Sequence, residues 1–458
     1  MSQTGLDAAV AVMREDGAAA EAIAVFSHYY AKLESGESGL IREGDIDPVT
    51  ELPQLDQLDI DPQVAADAFA ATAMIKLNGG LATSMGLDQA KSLLPVKGGH
   101  TFLDVIVRQV LALRDQYDVR LPLVFMNSFR TSADTLAALA GYPALPTPGL
   151  PLDFMQNREP KLLAEDLTPV RWPADPQLQW CPPGHADVYP AMRSSGVLDA
   201  LLDQGYRYAF CSNSDNLGAV AEPRIAGWMA ANSIPFALES TRRTPADRKG
   251  GHLAVRRSDG RLVLRETAQT APEDLEALQD LDRHRYCNTN NLWIDLRALA
   301  NLLDQTDGVL DLPLIRNVKT VDPQDSSTPE VIQIEAAMGA AVQAFDGAKS
   351  VLVSRQRFVP VKTTNDLLVL RSDQYDLDDD GRLYASPQRT SSEDTFVDLD
   401  PKFYKLMRDF DRHFPDGPPS LVDCSRLVVR GDITFGAGVV LHGEVDFDAA
   451  RDGNHITA

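Results

Sequence analysis

MIKLNGGLATSMGLDQAKSLLP occupies residues 74–95, and the rest of the chain is most easily read outward from it. The apolar run Met74 to Leu77 breaks off at Asn78-Gly79-Gly80, the pattern of a buried strand ending in a loop with unusual backbone angles. Two adjacent glycines also remove side chains where a ligand would touch backbone. Small residues continue through Ala82-Thr83-Ser84, and Lys91 follows at a spacing that lets it fold back over the loop. Exposed amides plus one mobile cation make a phosphate cradle. A tight turn beside a core strand would use the same residues, and glycines and lysine alone do not separate the two readings. Two familiar phosphate loops are excluded. Leu81 follows Gly80, which breaks G-x-G-x-x-G, and Leu87 stands after Gly86 where a Walker loop needs lysine.

A chain of 458 residues is long enough for two or three domains and a large core. Hydrophobic content of 44% and charged content of 24% are those of an ordinary globular protein. No apolar run reaches the roughly 18 residues of a transmembrane helix. The opening MSQTGLDAAVAVMREDG lacks the basic start and apolar core of a signal peptide, so a cytoplasmic location is expected. Cys181, Cys211, Cys287 and Cys424 form no C-x-x-C pair and read as buried free thiols. A formal net charge of −23 argues against nucleic-acid binding. A small anionic substrate would need locally placed lysines and a divalent cation to overcome that field.

Taken in order, residues 5–33 suggest two helices separated at Gly17, followed by an acidic, proline-bearing connector that runs to residue 62. After Lys91, SLLPV reads as a short strand, TFLDVIVRQVLALRDQY as a helix, and LPLVFMNS as another strand. That cadence is a βαβ unit in a mostly parallel sheet, where ligands collect at the carboxyl ends of strands. Asn78, Asn127 and Ser128 lie at such ends. Phe154-Met155-Gln156 marks one short strand within a proline-punctuated loop. The rigid turn Pro182-Pro183-Gly184 fixes His185 ahead of Asp187 and a helix. A lone histidine is otherwise a hydrogen-bonded core side chain.

YRYAFCSNSDN, residues 206–216, presents Asp215 just past a strand end. One carboxylate with open coordination positions suits Mg²⁺, which takes its other oxygens from water and phosphates. Asx-turn chemistry would use the same residues. PFALEST reads as a strand and HLAVRRSDGRLVLRET as a hairpin, with Lys249-Gly250-Gly251 ahead of it. The amides of CNTNNLWIDL suit several sugar hydroxyls, or a structural ladder. Helical periodicity is expected from Ile334 onward, with Glu335 in an apolar setting. Lys362 follows a short extended run, and Thr363-Thr364 can cap the next helix. Asp373 to Asp394 reads as an acidic connector. The valine-rich pieces of residues 421–447, separated by Gly-Asp or Gly-Ala-Gly, suggest about two stacked β-helix turns. Such an incomplete solenoid exposes its end to a partner.

LNGGLATSMG, AKSLLPV, PLVFMNSF, PPGHAD, SNSDNLGA, KGG, NTNNLWI, QIEAAMGAA and RFVPVKTTNDL occur in this order. Together they resemble the eukaryotic-type UDP-glucose pyrophosphorylase family over roughly residues 70–372. The resemblance implies an α/β fold: a Rossmann-like nucleotidyltransferase core with a mixed, mostly parallel sheet. An N-terminal helical segment (1–69) would precede the catalytic domain (70–372). A C-terminal part (373–458) would end in a short left-handed β-helix, a candidate contact between copies of the chain.

The family's reaction joins UTP to glucose 1-phosphate with Mg²⁺, giving UDP-glucose and pyrophosphate. Carried over by the resemblance, Leu77, Asn78, Gly79 and Gly80 would meet the nucleotide, and Gln156 and Gly184 the uracil. Lys91 and Lys362 would hold the reacting phosphates, and His185 the sugar phosphate. Asn213 and Asp215 would take the substrate and metal positions, with Gly251, Asn290 and Glu335 in the sugar pocket. Ala82, Ala90 and Ala186 depart from the family's usual glycine, proline and glycine. A methyl at Ala82 would tighten the loop if that position needs positive φ. The sugar phosphate is already an anionic nucleophile, so in-line attack on the α-phosphorus needs no general base. Positioning and charge neutralisation would carry the catalysis. Transfer to N-acetylhexosamine or galactose 1-phosphate, and a non-catalytic nucleotide-sugar sensor, are the alternatives. The missing dinucleotide fingerprint excludes an oxidoreductase of that type.

Overall fold

The computed structural model describes residues 3–248, 250–391 and 394–458. Strand β1 (Thr72–Asn78) is buried along its whole length. It runs parallel to β2 (Leu123–Asn127) on one side, and β2 in turn to β3 (Asp153–Met155). On the other side lies β4 (Tyr208–Asn213), also parallel. The sheet continues through β5 (Phe236–Arg242), β6 (Tyr286–Asp295) and β7 (Lys349–Leu352), in the spatial order β7-β5-β6-β4-β1-β2-β3. Only β6 runs against its neighbours. The chain leaves β1 toward β2 and β3 and later returns to β4 on the opposite side. A crevice therefore opens at the carboxyl ends of β1 and β4, where open α/β sheets bind ligands.

Period-two alternation divides β1 between two cores, so that neither of its faces is exposed. Ala73, Ile75 and Leu77 pack into one core with Val124, Met126, Ala209 and Cys211. Met74 faces the other with Phe125, Phe210 and Trp293. The helix Phe102–Tyr117 begins with a capping box between Thr101 and Asp104 and buries Leu103, Ile106, Val107 and Val110 in the second core. Truncating a side chain such as Phe210 to alanine would cost about 3–5 kcal/mol.

The two N-terminal helices, Gln3–Glu15 and Ala20–Glu34, are separated at Gly17 (φ +80°) and add Met13, Phe26 and Tyr30 to the first core. Downstream of residue 372, Val397, Leu399, Tyr404 and Leu427 extend the second core without a break. There β8 (Phe396–Leu399), β9 (Ser420–Arg430) and β10 (Val440–Asp448) form a parallel sheet, and Thr434–Phe435 pairs in parallel with His455–Ile456. Parallel pairing is thus present there, in two small sheets.

Three local expectations are corrected. SLLPV supplies no strand to the central sheet: Lys91–Leu93 is a 3-10 turn, and Pro95–Lys97 pairs only with His100–Thr101. Glu335 does not begin a helix. Glu330–Glu335 is a strand paired with Ile315–Thr320 and Leu162–Leu163, and only Met338–Gln343 turns helically, as a 3-10 segment. The β-branched Val331, Ile332 and Ile334 favour the strand once long-range partners exist. The acidic connector contains a hairpin, Tyr375–Leu377 with Leu383–Ala385. Lys249 lies outside the described residues. All four cysteines are buried free thiols. No described helix is long and apolar enough to cross a membrane.

Candidate active site

A cavity of about 270 Å³ sits at the crevice, walled by Leu77, Gly79 and Gly80 from the end of β1 and by Asn213, Ser214 and Asp215 from the end of β4. The two glycines do different work. A Cβ on Gly79 would stand 2.2 Å from Gln156 Oε1, so only glycine lets that carboxamide lie against the loop. A Cβ on Gly80 would meet nothing within 4 Å, which leaves this stretch of backbone open. Neither glycine has positive φ, so close approach is what these two positions require, and the loop's left-handed backbone falls at Gly86 (φ +77°). Ala82 has φ −82° and ψ 34°, a conformation that alanine takes without strain. Ala90, at φ −55°, keeps a proline-compatible backbone.

Lys91 returns to the loop through its backbone, N–H donating to Gly80 O at 3.2 Å beside the Leu81–Ala90 bridge. Its ammonium pairs with Asp215 Oδ2 at 2.7 Å, and the two side chains are only 17% and 19% exposed. The other Asp215 oxygen, Oδ1, is buried and has no hydrogen-bond partner. An orphaned hard oxygen of this kind fits a divalent cation such as Mg²⁺. No group of three or more His, Cys, Asp or Glu side chains suited to a metal occurs among the described residues. A cation here would thus have one protein carboxylate and complete its shell with phosphate and water oxygens.

The opposite wall comes from the Pro182-Pro183-Gly184 turn. Gly184 has φ +82°, and a Cβ there would lie 2.6 Å from Ala336 O, so its position demands glycine twice over. His185 Nδ1 accepts from Met338 N–H at 2.8 Å, and burial lowers the ring's pKa to about 4. The imidazole is therefore neutral at physiological pH, with its proton on Nε2. Behind it, Asp187 accepts from the Asn157 backbone at 2.6 Å and side chain at 2.8 Å, which ties the turn to the Gln156 segment. Burial pushes the Asp187 carboxyl up to about 6. Gln156, Gly184, His185 and Glu335 all border the cavity, and Glu335 Oε1 accepts from Asn317 Nδ2 at 2.9 Å.

Four expected residues lie elsewhere. Asn78 is buried and satisfied: its Nδ2 donates to Asn127 Oδ1 and Thr135 Oγ1, and its Oδ1 accepts from Ser214 Oγ. It joins the ends of β1, β2 and β4 and does not border the cavity. Asn290 adopts φ +57° and exchanges hydrogen bonds with Asn288. Gly251 and Lys362 form a separate group around Glu266, which lies against Gly251 and within electrostatic reach of the exposed Lys362. The backbone beside Lys362 is nevertheless fixed to the cavity wall. Val361 N–H donates to Asp215 O at 3.1 Å, and Asn216 bridges Pro360.

Several residues escaped the sequence reading. Lys76 is fully buried, donating to Ser212 Oγ at 2.8 Å and to Ala219 O at 2.9 Å, and burial pulls its ammonium down to about 7. Its only sequence signal is one charge inside an apolar strand. Glu239, also fully buried, accepts both Arg357 Nε and Nη2, at 2.7 and 2.6 Å, along with Trp293 Nε1 and Asn291 Nδ2. Met126, Pro182 and Ser214 complete the cavity wall.

A glycine-faced, lysine-bearing cleft at the switch point of an open α/β sheet is a place for a phosphate-bearing ligand, consistent with the nucleotidyltransferase class of α/β proteins. The family model described as UTP–glucose-1-phosphate uridylyltransferase matches residues 23–442. The uridylyltransferase of Solanum tuberosum is 38% identical over 402 residues, covering 87% of this chain and 81% of that protein. The Saccharomyces cerevisiae enzyme is 39% identical over 385 residues, 84% of this chain and 75% of that one. Among solved structures, the L281D mutant of UDP-glucose pyrophosphorylase from Leishmania major, in complex with UDP-glucose, superposes with a TM-score of 0.92 at 42% identity. It covers 100% of this chain and 97% of the other. A Trypanosoma brucei UDP-glucose phosphorylase gives 0.89 at 40% identity, with both chains fully covered. The chain belongs to the UTP–glucose-1-phosphate uridylyltransferase family.

Proposed function

We infer that the chain transfers the uridylyl group of UTP to glucose 1-phosphate, giving UDP-glucose and pyrophosphate. The observation that carries this reading is the meeting of open backbone at Gly80, the Lys91 ammonium and the Asp215 carboxylate in one cavity at the β1–β4 switch point. Leu77, Gly79 and Gly80 line the triphosphate, with Gln156 and Gly184 at the uracil, while Asn78 holds the loop in shape. Lys91 neutralises charge on the phosphates, and neutral His185 donates a hydrogen bond to the sugar phosphate. Asn213 and Glu335 lie toward the sugar. Lys362 lies beside Asp215 in the backbone and swings from the Glu266 side to the reacting phosphates. Gly251 and Asn290 are assigned to the sugar side beyond the cavity wall, beside Glu266 and Asn288 respectively.

Asp215, whose Oδ1 has no hydrogen-bond partner, would hold Mg²⁺, and the ion would supply charge neutralisation at the phosphates. The attacking oxygen is already anionic, so the chain's residues align it with the α-phosphorus and stabilise the charge that builds there. Residues 70–372 act as the catalytic unit, braced by the helical segment 1–69. Residues 373–458 carry a short left-handed β-helix whose open end suits contact with a second copy. The location is cytoplasmic.

The test is pyrophosphorolysis: the protein, Mg²⁺ and pyrophosphate with UDP-glucose, UDP-galactose or UDP-N-acetylglucosamine. UTP release from UDP-glucose above the other two, abolished by EDTA and restored by Mg²⁺, is expected. Binding without turnover of any of the three would turn the reading to a sensor.

A further inference from the structure

We propose that Lys76 is a positioning residue for uridylyl transfer, holding both ends of the loop that presents Asn213 and Asp215. The inference rests on the reading of that loop as a wall of the reaction cavity. Lys76 projects from β1 into the core that contains Phe210 and Trp293, with its ammonium 5.8 Å from the centre of the Phe210 ring. Ser212 is its direct cross-strand neighbour on β4, immediately before Asn213. Ala219 closes the same loop seven residues further on. One ammonium therefore ties the loop's entry to its exit, through two neutral acceptors at 2.8 and 2.9 Å.

Other ties hold the middle of the loop, with Asn216 bonding Asn291, Arg357 O and Val359 N–H. Gln109 Nε2 donates to Leu217 O, Arg357 Nη2 to Val220 O just beyond it, and Gly218 N–H to Asn216 Oδ1. Gly218 has no room for a side chain, since a Cβ would lie 2.2 Å from Gln356 O. The loop is thus clamped against the 356–361 segment on one side and against Lys76 on the other.

A fully buried lysine with neutral partners is a costly way to fill a core position that a methionine would fill by shape alone. What methionine lacks is a donor that reaches two acceptors at once. Asp215 also lies within electrostatic reach of the Lys76 ammonium. The same side chain therefore fixes the carboxylate's backbone and contributes to the field around it.

Lys76→Met and Ser212→Ala test the proposal by hydrogen exchange of the substrate-free protein and by steady-state kinetics. For Lys76→Met, exchange across residues 213–219 rises by about tenfold while β2 keeps its protection. In the same variant kcat falls by about tenfold or more, with KM for UTP within about threefold of wild type. Ser212→Ala, which removes one of the two acceptors, shifts both readouts in the same direction by less. Wild-type exchange in this loop, or kcat within about twofold of wild type, overturns the proposal. So does a protection loss spread evenly over the sheet, which would make Lys76 a stability residue only. Should Lys76→Met fail to fold, Ser212→Ala decides alone: unchanged loop exchange and kcat overturn the proposal. Absence of transfer by the wild-type protein would instead sink the functional reading, while the exchange experiment still reports on the clamp.

Discussion

The cation expected to grip phosphate and the carboxylate expected to hold metal pair with each other, Lys91 Nζ to Asp215 Oδ2 at 2.7 Å. Replacing Asp215 with asparagine keeps the shape and removes the charge, so its effect on UTP binding without metal has a diagnostic sign. Two unit charges at about 4 Å interact by roughly 4 kcal/mol at an effective dielectric of about 20, an upper bound here. Water at the cavity mouth and the entropy of both side chains reduce this, so about 1–2 kcal/mol becomes available to the nucleotide. Asp215→Asn is therefore expected to bind UTP about 5- to 30-fold more tightly than wild type in EDTA. With Mg²⁺ present, turnover of the same variant should fall by about a hundredfold or more. Lys91→Met should lose UTP affinity by about tenfold in either condition. Isothermal titration calorimetry in EDTA measures the first quantity. An Asp215→Asn protein that binds UTP no tighter than wild type would falsify the view that this ion pair competes with the nucleotide.

Gly79→Ala and Gly80→Ala should differ in kind. The first drives the Gln156 carboxamide off the loop and raises KM for UTP with little change in melting temperature, since only the end of a flexible side chain moves, whereas the second displaces nothing, and any raised KM arises in the open cavity. Gly184→Ala, forced into φ +82° and against Ala336 O, should cost about 1–3 kcal/mol in urea unfolding. A cost below about 0.5 kcal/mol would show that the turn relaxes freely. His185 is neutral in the fold down to about 4 but titrates near 6.5 when unfolded. Between those values the unfolded chain binds more protons, so the His185 contribution erodes stability as pH falls through that window. Wild type should lose up to about 2 kcal/mol more than His185→Gln between pH 7 and pH 5. Equal losses, or an NMR titration of the ring near 6.5, would contradict the buried neutral imidazole.

The first loop was legible because its signal is local: an apolar run that stops at two glycines leaves few alternatives to a strand-to-loop junction. The same holds for Gly184, where Pro-Pro-Gly fixes the turn, and for Asp215, which follows directly on an apolar strand. Glu335 was misread because Val331 to Ala337 sets a brief alternation, Ile332 and Ile334 against Gln333 and Glu335, beside helix-favouring alanines, and periodicity over so few residues does not separate strand from helix. Its partners, Ile315–Thr320 and Leu162–Leu163, lie outside any local window. Lys362 illustrates a different gap. Spacing from Val361 anchors its backbone beside Asp215, yet a four-carbon side chain chooses its direction from tertiary surroundings, and here it faces Glu266.

Lys76 and the Glu239–Arg357 pair were invisible for a related reason, and they bear on how a chain of net charge −23 can accept a triphosphate. Beneath and beside the cavity stand Lys76, Lys91 and Arg357 against Glu239 and Asp215. The Glu239–Arg357 pair is internally neutral, with its hydrogen bonds satisfied by Trp293 and Asn291. Lys91 and Asp215 neutralise one another until a ligand arrives. Lys76 is left over, close to 7 because burial opposes its charge and no carboxylate bonds it directly. Glu335 adds a further carboxylate to the cavity wall, so no excess of positive charge stands there. An anion that pairs with Lys91 must displace Asp215 from it, which favours ligands with enough phosphate to complete that exchange. The acidic surface then acts as a filter at long range, while selectivity is set inside the cavity by which ligand can complete the exchange.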